Sequence, residues 1–202
     1  MRITTLGTGH GLSEKKRYCS STMIEVGDSR YLVDVGAPVD YLFVTNGWKM
    51  SDVRAVLLTH MHCDHVALLP PLVENLTCLS GYLKKREGVE DLPPCGIVFP
   101  TADGLQSFVA WMRALGNAVS DDPIHPFEKG KQLSMTVARE DEVYRDGAVS
   151  FRGMRTAHMK DQSPSFAYVM EAEGKRPAWI EAHRKDFPFP VVAATDGAVF
   201  EI

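Results

Sequence analysis

Several features that would narrow the class of protein are scarce or missing in this sequence. No apolar run approaches the roughly 18 residues that a membrane-spanning helix needs, and no low-complexity tract indicates disorder or a fibrous structure. The 22 Lys and Arg residues are balanced by 26 Asp and Glu residues, so the overall charge does not favour non-specific binding to nucleic acid or to an anionic membrane. The length of 202 residues predicts a single globular domain.

Cysteine is also scarce. Cys19, Cys63, Cys78 and Cys95 form no CxxC pair, which is the spacing typical of structural zinc sites and of redox motifs. We therefore expect free thiols rather than a disulfide framework. The opening segment MRITTLGTGHG lacks the long apolar core of a secretory signal, so we expect a cytoplasmic protein that does not contact a membrane.

Short apolar segments bounded by turn residues predict strands near both ends of the sequence, with helical patterns between them. The predicted strands are 2–6, 22–26, 30–35, 55–58, 133–138, 148–156, 165–172, 178–180 and 198–202. Helical spacing predicts one helix between Pro70 and Leu83 and a second from the N-cap Thr101 to Gly116. Two groups of strands with helical segments indicate an α+β or layered α/β architecture in which two sheets lie face to face.

The segment HMHCDH directly follows the predicted strand AVLLT. In an extended chain His60 and His62 point to the same side, so both imidazoles can converge on one point. Asp64 and His65 then fall at the turn into the next helix and can face the same cavity. Imidazoles and a carboxylate suit zinc, and also iron or manganese. The crowding of these side chains favours two metal ions over one.

HMHCDH resembles the HxHxDH signature of the metallo-β-lactamase fold superfamily. The opening LGTGHGLSEKKRYCSSTMIEVGDSRYLVDVGAP resembles that of the ribonuclease Z and cyclic-phosphate phosphodiesterase branch. The later TAHMKDQSPSFAYVMEAEGK is similar to the third metal motif of that branch. The resemblance implies one domain over residues 1–202, a four-layer αβ/βα sandwich that is shortened at its carboxyl end by the last strand and helix.

The resemblance also implies the metal ligands. His60, His62 and His158 would hold one ion, and Asp64 and His65 would contribute to a second. A hydroxide held between the two cations would be the nucleophile. Asp64 would orient it or act as general base, and zinc is the expected metal.

The second metal site of the family also requires a bridging aspartate and one further histidine. No Gly-Asp step occurs in residues 175–183, where the resemblance would place the aspartate. Glu181 is the preferred substitute and Asp196 the second choice. His183 or a neighbouring chain would supply the last histidine. Because an exposed sheet edge invites pairing between chains, we expect a homodimer.

Two further residues near the motif are expected to be bystanders. His10 lies in a glycine-rich loop, residues 7–11, which no amphipathic helix follows, so the loop does not fit a dinucleotide-binding turn. We expect this loop at the mouth of the site. Cys63 is expected to be packed and to point away from His60 and His62.

Three functions stay open on the sequence. The resemblance implies a metal-dependent phosphodiesterase, and because no basic or glycine- and proline-rich arm is present we expect a small phosphodiester rather than a nucleic acid. A lactonase or thioesterase of the same superfamily would use the same metals. A degenerate member that binds one metal or none would act as a binding protein. The number of metal ions bound per chain distinguishes the binding protein from the two hydrolases.

Overall fold

All described helices lie in the first two thirds of the computed structural model, interspersed among its first six strands; the structure describes residues 1–12, 14–147, 149–158, 162–172 and 199–201. The strands are β1 (Arg2–Gly7), β2 (Ser21–Val26), β3 (Ser29–Val33), β4 (Val53–Leu57), β5 (Cys95–Phe99), β6 (Leu133–Val137), β7 (Val143–Asp146), β8 (Val149–Thr156), β9 (Ser165–Glu171) and β10 (Val199–Glu201). The helices are α1 (Val39–Thr45), α2 (Cys63–Val66), α3 (Leu69–Leu76), α4 (Ser80–Glu87) and α5 (Ala102–Ala114), and a 3₁₀ turn, Met50–Asp52, directly precedes β4.

The strands form two sheets. The first has seven strands in the order β10-β1-β2-β3-β4-β5-β6, and the second has three in the order β7-β8-β9. Strands β3 to β6 run parallel, whereas all other pairs are antiparallel. Because parallel strands end at the same edge of a sheet, the segments that follow β3, β4, β5 and β6 meet there.

The first sheet is covered on both faces. In β5, Cys95, Ile97 and Phe99 pack in the core cluster that holds the buried residues of the helices. Val98 points the other way and joins Phe151 of the second sheet in a separate core. Every residue of β5 is buried, as expected of a parallel strand between two layers. The described residues therefore form a helix layer, a seven-stranded sheet and a three-stranded sheet, and they include no helix on the outer face of the second sheet.

The α+β class and the two facing sheets are confirmed, and most predicted strands and the helix after Thr101 lie where expected. The helix predicted between Pro70 and Leu83 is wrong as one element, because the chain bends by 76° between Leu76 and Ser80. At that bend the Thr77 hydroxyl donates to the Val73 carbonyl at 2.7 Å. A side chain that bonds back to the preceding turn commonly bends or ends a helix.

The prediction missed the helix α1, the strands β5 and β7 and the 3₁₀ turn before β4. A strand buried on both faces has no polar alternation, so periodicity does not reveal β5. The strand predicted at 178–180 lies outside the described residues. Within the described ranges no single helix is long and apolar enough to cross a membrane; α2–α3 and α4 reach that length and composition only as a bent pair.

Candidate metal centre

The motif HMHCDH lies at the carboxyl end of β4, in the middle of the first sheet. β4 ends at Leu57, and His62, the residue before α2, has an extended backbone (φ −67°, ψ 146°). Cys63 then begins a single helical turn that carries Asp64 and His65. The chain therefore presents two histidines from an extended segment and the next two polar side chains from a helix, as the sequence predicts.

Three imidazoles come together at this edge. Nitrogen atoms of His60, His62 and His158 all lie within 4.8 Å of one another. His60 is buried whereas His62 and His158 are exposed, so the cluster opens to solvent on one side. His158 follows β8 of the second sheet, so the site depends on the packing of the two sheets. The Nε2 atom of His60 is 3.1 Å from Nδ1 of His62.

Electrostatics keep the buried imidazole uncharged. Burial, followed by the nearby His65, lowers the pKa of His60 to about 4, although the Asp34 carboxylate acts in the opposite direction. His158 and His62 lower it further. A neutral imidazole is the form that binds a metal ion.

The second pair, Asp64 and His65, lies beside this cluster. The Asp64 Oδ2 atom is 3.4 Å from Nε2 of His65. The other ring nitrogen of His65, Nδ1, is 2.6 Å from Oδ2 of Asp34. Burial lowers the pKa of His65, but the hydrogen bond to Asp34 and the charges of Asp34 and Asp64 outweigh it, and the pKa is raised overall.

Asp34 is a residue of the candidate centre that the sequence did not predict. It follows β3 with a left-handed backbone (φ 61°) and is 3% exposed. Its carboxylate accepts the Thr59 backbone N–H and the Thr59 hydroxyl, both at 2.8 Å, in addition to contacting His65. The signal in the sequence is an acidic residue inside the apolar segment YLVDV, because a carboxylate is buried only where partners satisfy it.

Two glycines lie beside Asp64, and close packing requires one of them. At Gly36 an added Cβ would stand 1.8 Å from the Asp64 carbonyl oxygen, so no other residue fits there. At Gly11 a Cβ would stand 3.7 Å from Cγ of Asp64, which places the glycine-rich loop beside the site as expected. His10 is turned away, with its side chain 69% exposed and Nε2 3.3 Å from Glu14.

The other predicted site residues have different outcomes. The thiol of Cys63 is free and exposed rather than packed, because the chain has already turned helical there and the strand period no longer applies. Cys19, Cys78 and Cys95 likewise take part in no disulfide among the described residues. Glu181, Asp196 and His183, the candidates for the remaining ligands, lie outside the described residues.

The residues at this edge fit a divalent cation. Three imidazole donors, one of them buried and neutral, form a set that zinc, iron and manganese accept. On the neighbouring side, the contact of Asp34 with one ring nitrogen of His65 leaves the other nitrogen directed towards Asp64. A carboxylate behind a metal-binding histidine is the usual way to fix its ring orientation.

Comparisons with known proteins agree with this description. A family model described as Anti-Pycsar protein Apyc1 matches residues 1–82. Ribonuclease Z from Synechococcus sp. (strain WH7803) is 25% identical over 201 residues, which are 96% of this chain and 56% of that protein. Ribonuclease Z from Methanopyrus kandleri is 38% identical over 83 residues, which are 41% of this chain and 30% of that protein. The chain thus spans about half the length of the first relative and less of the second.

Solved structures support the fold. Human tRNase Z, short form, superposes with a TM-score of 0.59 and 20% identity over 87% of this chain and 67% of that one. The metallo-β-lactamase fold protein YhfI from Bacillus subtilis gives a TM-score of 0.59 and 20% identity over 84% of this chain and 58% of that one. The chain accordingly has the metallo-β-lactamase fold, and its sequence is similar to that of ribonuclease Z.

Proposed function

We propose that this protein is a metal-dependent hydrolase that cleaves a phosphodiester bond in a nucleic acid. The observation that carries the proposal is the convergence of the His60, His62 and His158 donor atoms within 4.8 Å, next to the Asp64 and His65 pair. The ribonuclease Z relatives support the choice of bond.

The relatives argue against the expectation of a small-molecule substrate. That expectation was based on the absence of a basic arm, whereas the relatives of this chain are ribonucleases and one neighbour in fold is a tRNase. We therefore favour a nucleic-acid phosphodiester over a small one.

Zinc is the ion we propose for the site. His60, His62 and His158 would hold one ion, and Asp64 and His65 would contribute to a second. Bound there, such a cation would polarise the phosphoryl oxygen and lower the pKa of a water molecule towards neutrality. A homodimer and a cytoplasmic location stay predictions.

The residues of the chain have separate roles in this proposal. The Asp34 carboxylate accepts a hydrogen bond from Nδ1–H of His65, which orients the ring so that Nε2 lies on the side of Asp64. The Asp64 carboxylate is the group available to orient the attacking water and to receive its proton. The backbone of the loop at Gly11 borders Asp64.

Hydrolysis of bis(p-nitrophenyl) phosphate tests the proposal. Purified protein should release p-nitrophenol, lose this activity after chelation, and regain it when zinc or manganese is added back. His62→Ala should not be restored by either metal, whereas His10→Ala, an exposed histidine outside the cluster, should behave as wild type.

Turnover that survives chelation and the His62→Ala change would contradict the proposal. Absence of turnover on every phosphodiester, with turnover of a lactone or a thioester, would favour the second hydrolase reading. Absence of all turnover in a protein that holds no metal would favour a binding protein.

A further inference from the structure

An open depression borders the metal centre on the side of β5 and β6. Its volume is about 520 Å³, and its lining includes Thr101, Arg139, Arg155 and Phe166. Asp103 and Glu140 also line it. None of these residues belongs to the metal centre described above.

Two contacts connect this depression to the metal centre. The Phe166 backbone N–H donates to the Thr59 carbonyl at 2.9 Å, one residue before His60. On the other wall, a Cβ at Gly104 in the first turn of α5 would meet the Sδ atom of Met61, which lies between His60 and His62, at 2.8 Å. Since β6 is two strands away from β4, the segment with Arg139 begins about 10 Å from the one with His60.

The two arginines are unpaired in the part of the chain that the structure describes. Arg139 and Arg155 are both exposed, and neither side chain has a hydrogen bond or an ion pair with a described residue. Asp103 and Glu140 line the same depression, yet neither lies within 4.0 Å of a guanidinium nitrogen. By contrast Arg152, on the same strand as Arg155, bonds to Asp141 at 3.1 Å.

We propose that Arg139 and Arg155 bind a second phosphate group of the substrate, adjacent to the phosphodiester that is cleaved. This inference rests on the proposed function. The guanidinium group presents a planar set of N–H donors that matches phosphate oxygens. The segments that carry Arg139 and His60 begin about 10 Å apart, and the arginine side chain spans part of that distance. The distance that remains between the guanidinium group and the metal centre suits neighbouring phosphates of one strand. The substrate would then be a phosphorylated dinucleotide or a longer strand, and a dinucleotide without a further phosphate would be a poor substrate.

Steady-state kinetics on matched ribonucleotides tests this proposal. The substrates are the dinucleotide UpU, its 5′- and 3′-phosphorylated forms, and the trinucleotide UpUpU, with bis(p-nitrophenyl) phosphate as a substrate that has a single phosphate. The second phosphate can be a terminal phosphate or another internal phosphodiester. The phosphorylated forms of UpU test the first source, and UpUpU tests the second. Wild type should show a KM about tenfold lower for at least one of the forms with a second phosphate than for UpU.

The variant Arg139→Ala/Arg155→Ala should lose this preference while kcat stays within about twofold and turnover of bis(p-nitrophenyl) phosphate is unchanged. Arg139→Lys/Arg155→Lys should keep part of the preference, because charge remains and the planar donor set is lost. The control Arg86→Ala removes an exposed arginine on α4 and should keep the full preference.

The proposal would be overturned if the double alanine variant kept the preference for a second phosphate, or if wild type showed no such preference. An equal loss of kcat/KM on every substrate in the double variant would also overturn it. If wild type hydrolyses none of these substrates, the proposed function fails. Equilibrium binding of fluorescently labelled UpU and its phosphorylated forms then tests the phosphate site in the depression. If the proposal holds, wild type binds the phosphorylated forms more tightly than UpU and the double alanine variant does not. Equal affinity of wild type for UpU and its phosphorylated forms overturns the proposal.

Discussion

The two ends of strand β4 both carry polar clusters, and they differ in where the partners come from. At the amino end the Arg54 guanidinium forms two hydrogen bonds to the Asp146 carboxylate, at 3.0 and 3.1 Å. The same carboxylate accepts the Tyr31 hydroxyl at 2.8 Å. These contacts join the first sheet to the second, and each charged group meets its complement within the chain.

The turn before β4 is satisfied in the same way. The Glu87 carboxylate accepts the backbone N–H groups of Met50 and Ser51, both at 2.9 Å. The buried Lys131 ammonium donates to the Ser51 carbonyl at 2.9 Å. Burial alone raises the pKa of Glu87, but the hydrogen bonds from Ser51 and Met50 outweigh it and hold the pKa below its ordinary value.

The carboxyl end is built differently. His60, His62 and His158 converge without a carboxylate among them. Apart from the 3.1 Å contact between His60 Nε2 and His62 Nδ1, these donor atoms have no charged complement within the cluster, and an added cation would supply one. The comparison shows how a structural polar cluster differs from a functional one: the first is closed by its own side chains, and the second is left open towards solvent.

The largest expected effect comes from removing one ligand at the open end. His62→Ala should lower kcat/KM on bis(p-nitrophenyl) phosphate by more than about 100-fold and reduce bound zinc. Losing a metal ligand lowers metal affinity and activity more than losing a residue that only hydrogen-bonds to a ligand, which lowers them by about 10- to 100-fold. His62 is exposed, so the free energy of unfolding of the metal-free protein should change by less than about 0.5 kcal/mol. Metal analysis, the assay and urea unfolding measure the three quantities. Wild-type activity in His62→Ala would contradict the assignment of the carboxyl end of β4 as the functional cluster.

Asp34→Asn gives an intermediate effect on activity. The amide keeps the volume but removes the charge that orients His65, so kcat/KM should fall by about 10- to 100-fold. Zinc at the cluster of three histidines should be retained, and the second equivalent should bind more weakly. Asp28→Asn, in the exposed turn between β2 and β3, is the matched control and should have no effect. Equal activity of the two variants would exclude a role for Asp34.

Asp146→Asn tests the closed end and should affect stability instead of activity. The substitution weakens the paired hydrogen bonds of Arg54 and the bond from Tyr31, which should lower the free energy of unfolding by about 2 kcal/mol. Urea unfolding measures the loss. Activity measured well below the unfolding midpoint should stay within about twofold of wild type; a loss comparable with that of Asp34→Asn would contradict the separation of the two ends.

The smallest effect is a pH dependence at Lys131. Burial lowers the pKa of its ammonium to about 8, against 10.5 for an exposed lysine. Between these values the unfolded chain binds more protons at this residue, so its contribution makes the free energy of unfolding rise with pH. Lys131→Met removes that contribution. The stability of the variant relative to wild type should therefore fall by about 1 kcal/mol from about pH 9 to about pH 10, and a constant difference would contradict the assignment.

Much of the open end could be predicted from the sequence because its ligands are close together along the chain. His60, His62, Asp64 and His65 lie within HMHCDH, where local geometry decides which way each side chain points. His158 was reached only through the resemblance of its flanking segment, since the packing of two sheets brings it to the cluster.

The residues that escaped prediction depend on contacts between distant segments. Asp34 meets His65 because β3 and β4 are neighbours in the sheet, and no local pattern encodes that pairing. Arg139 and Arg155 share a depression for the same kind of reason, since they follow or end strands of different sheets. Cys63 was misplaced because the strand period was extended into the first residue of α2.

The zinc content of the purified protein tests the central claim most directly. Plasma mass spectrometry after equilibration with zinc and removal of the free ion gives the number of equivalents per chain. The open cluster of His60, His62 and His158 predicts at least one equivalent in wild type, which His62→Ala should not retain. Wild-type protein without bound zinc, manganese or iron after equilibration with each would contradict the assignment of this edge as a metal centre.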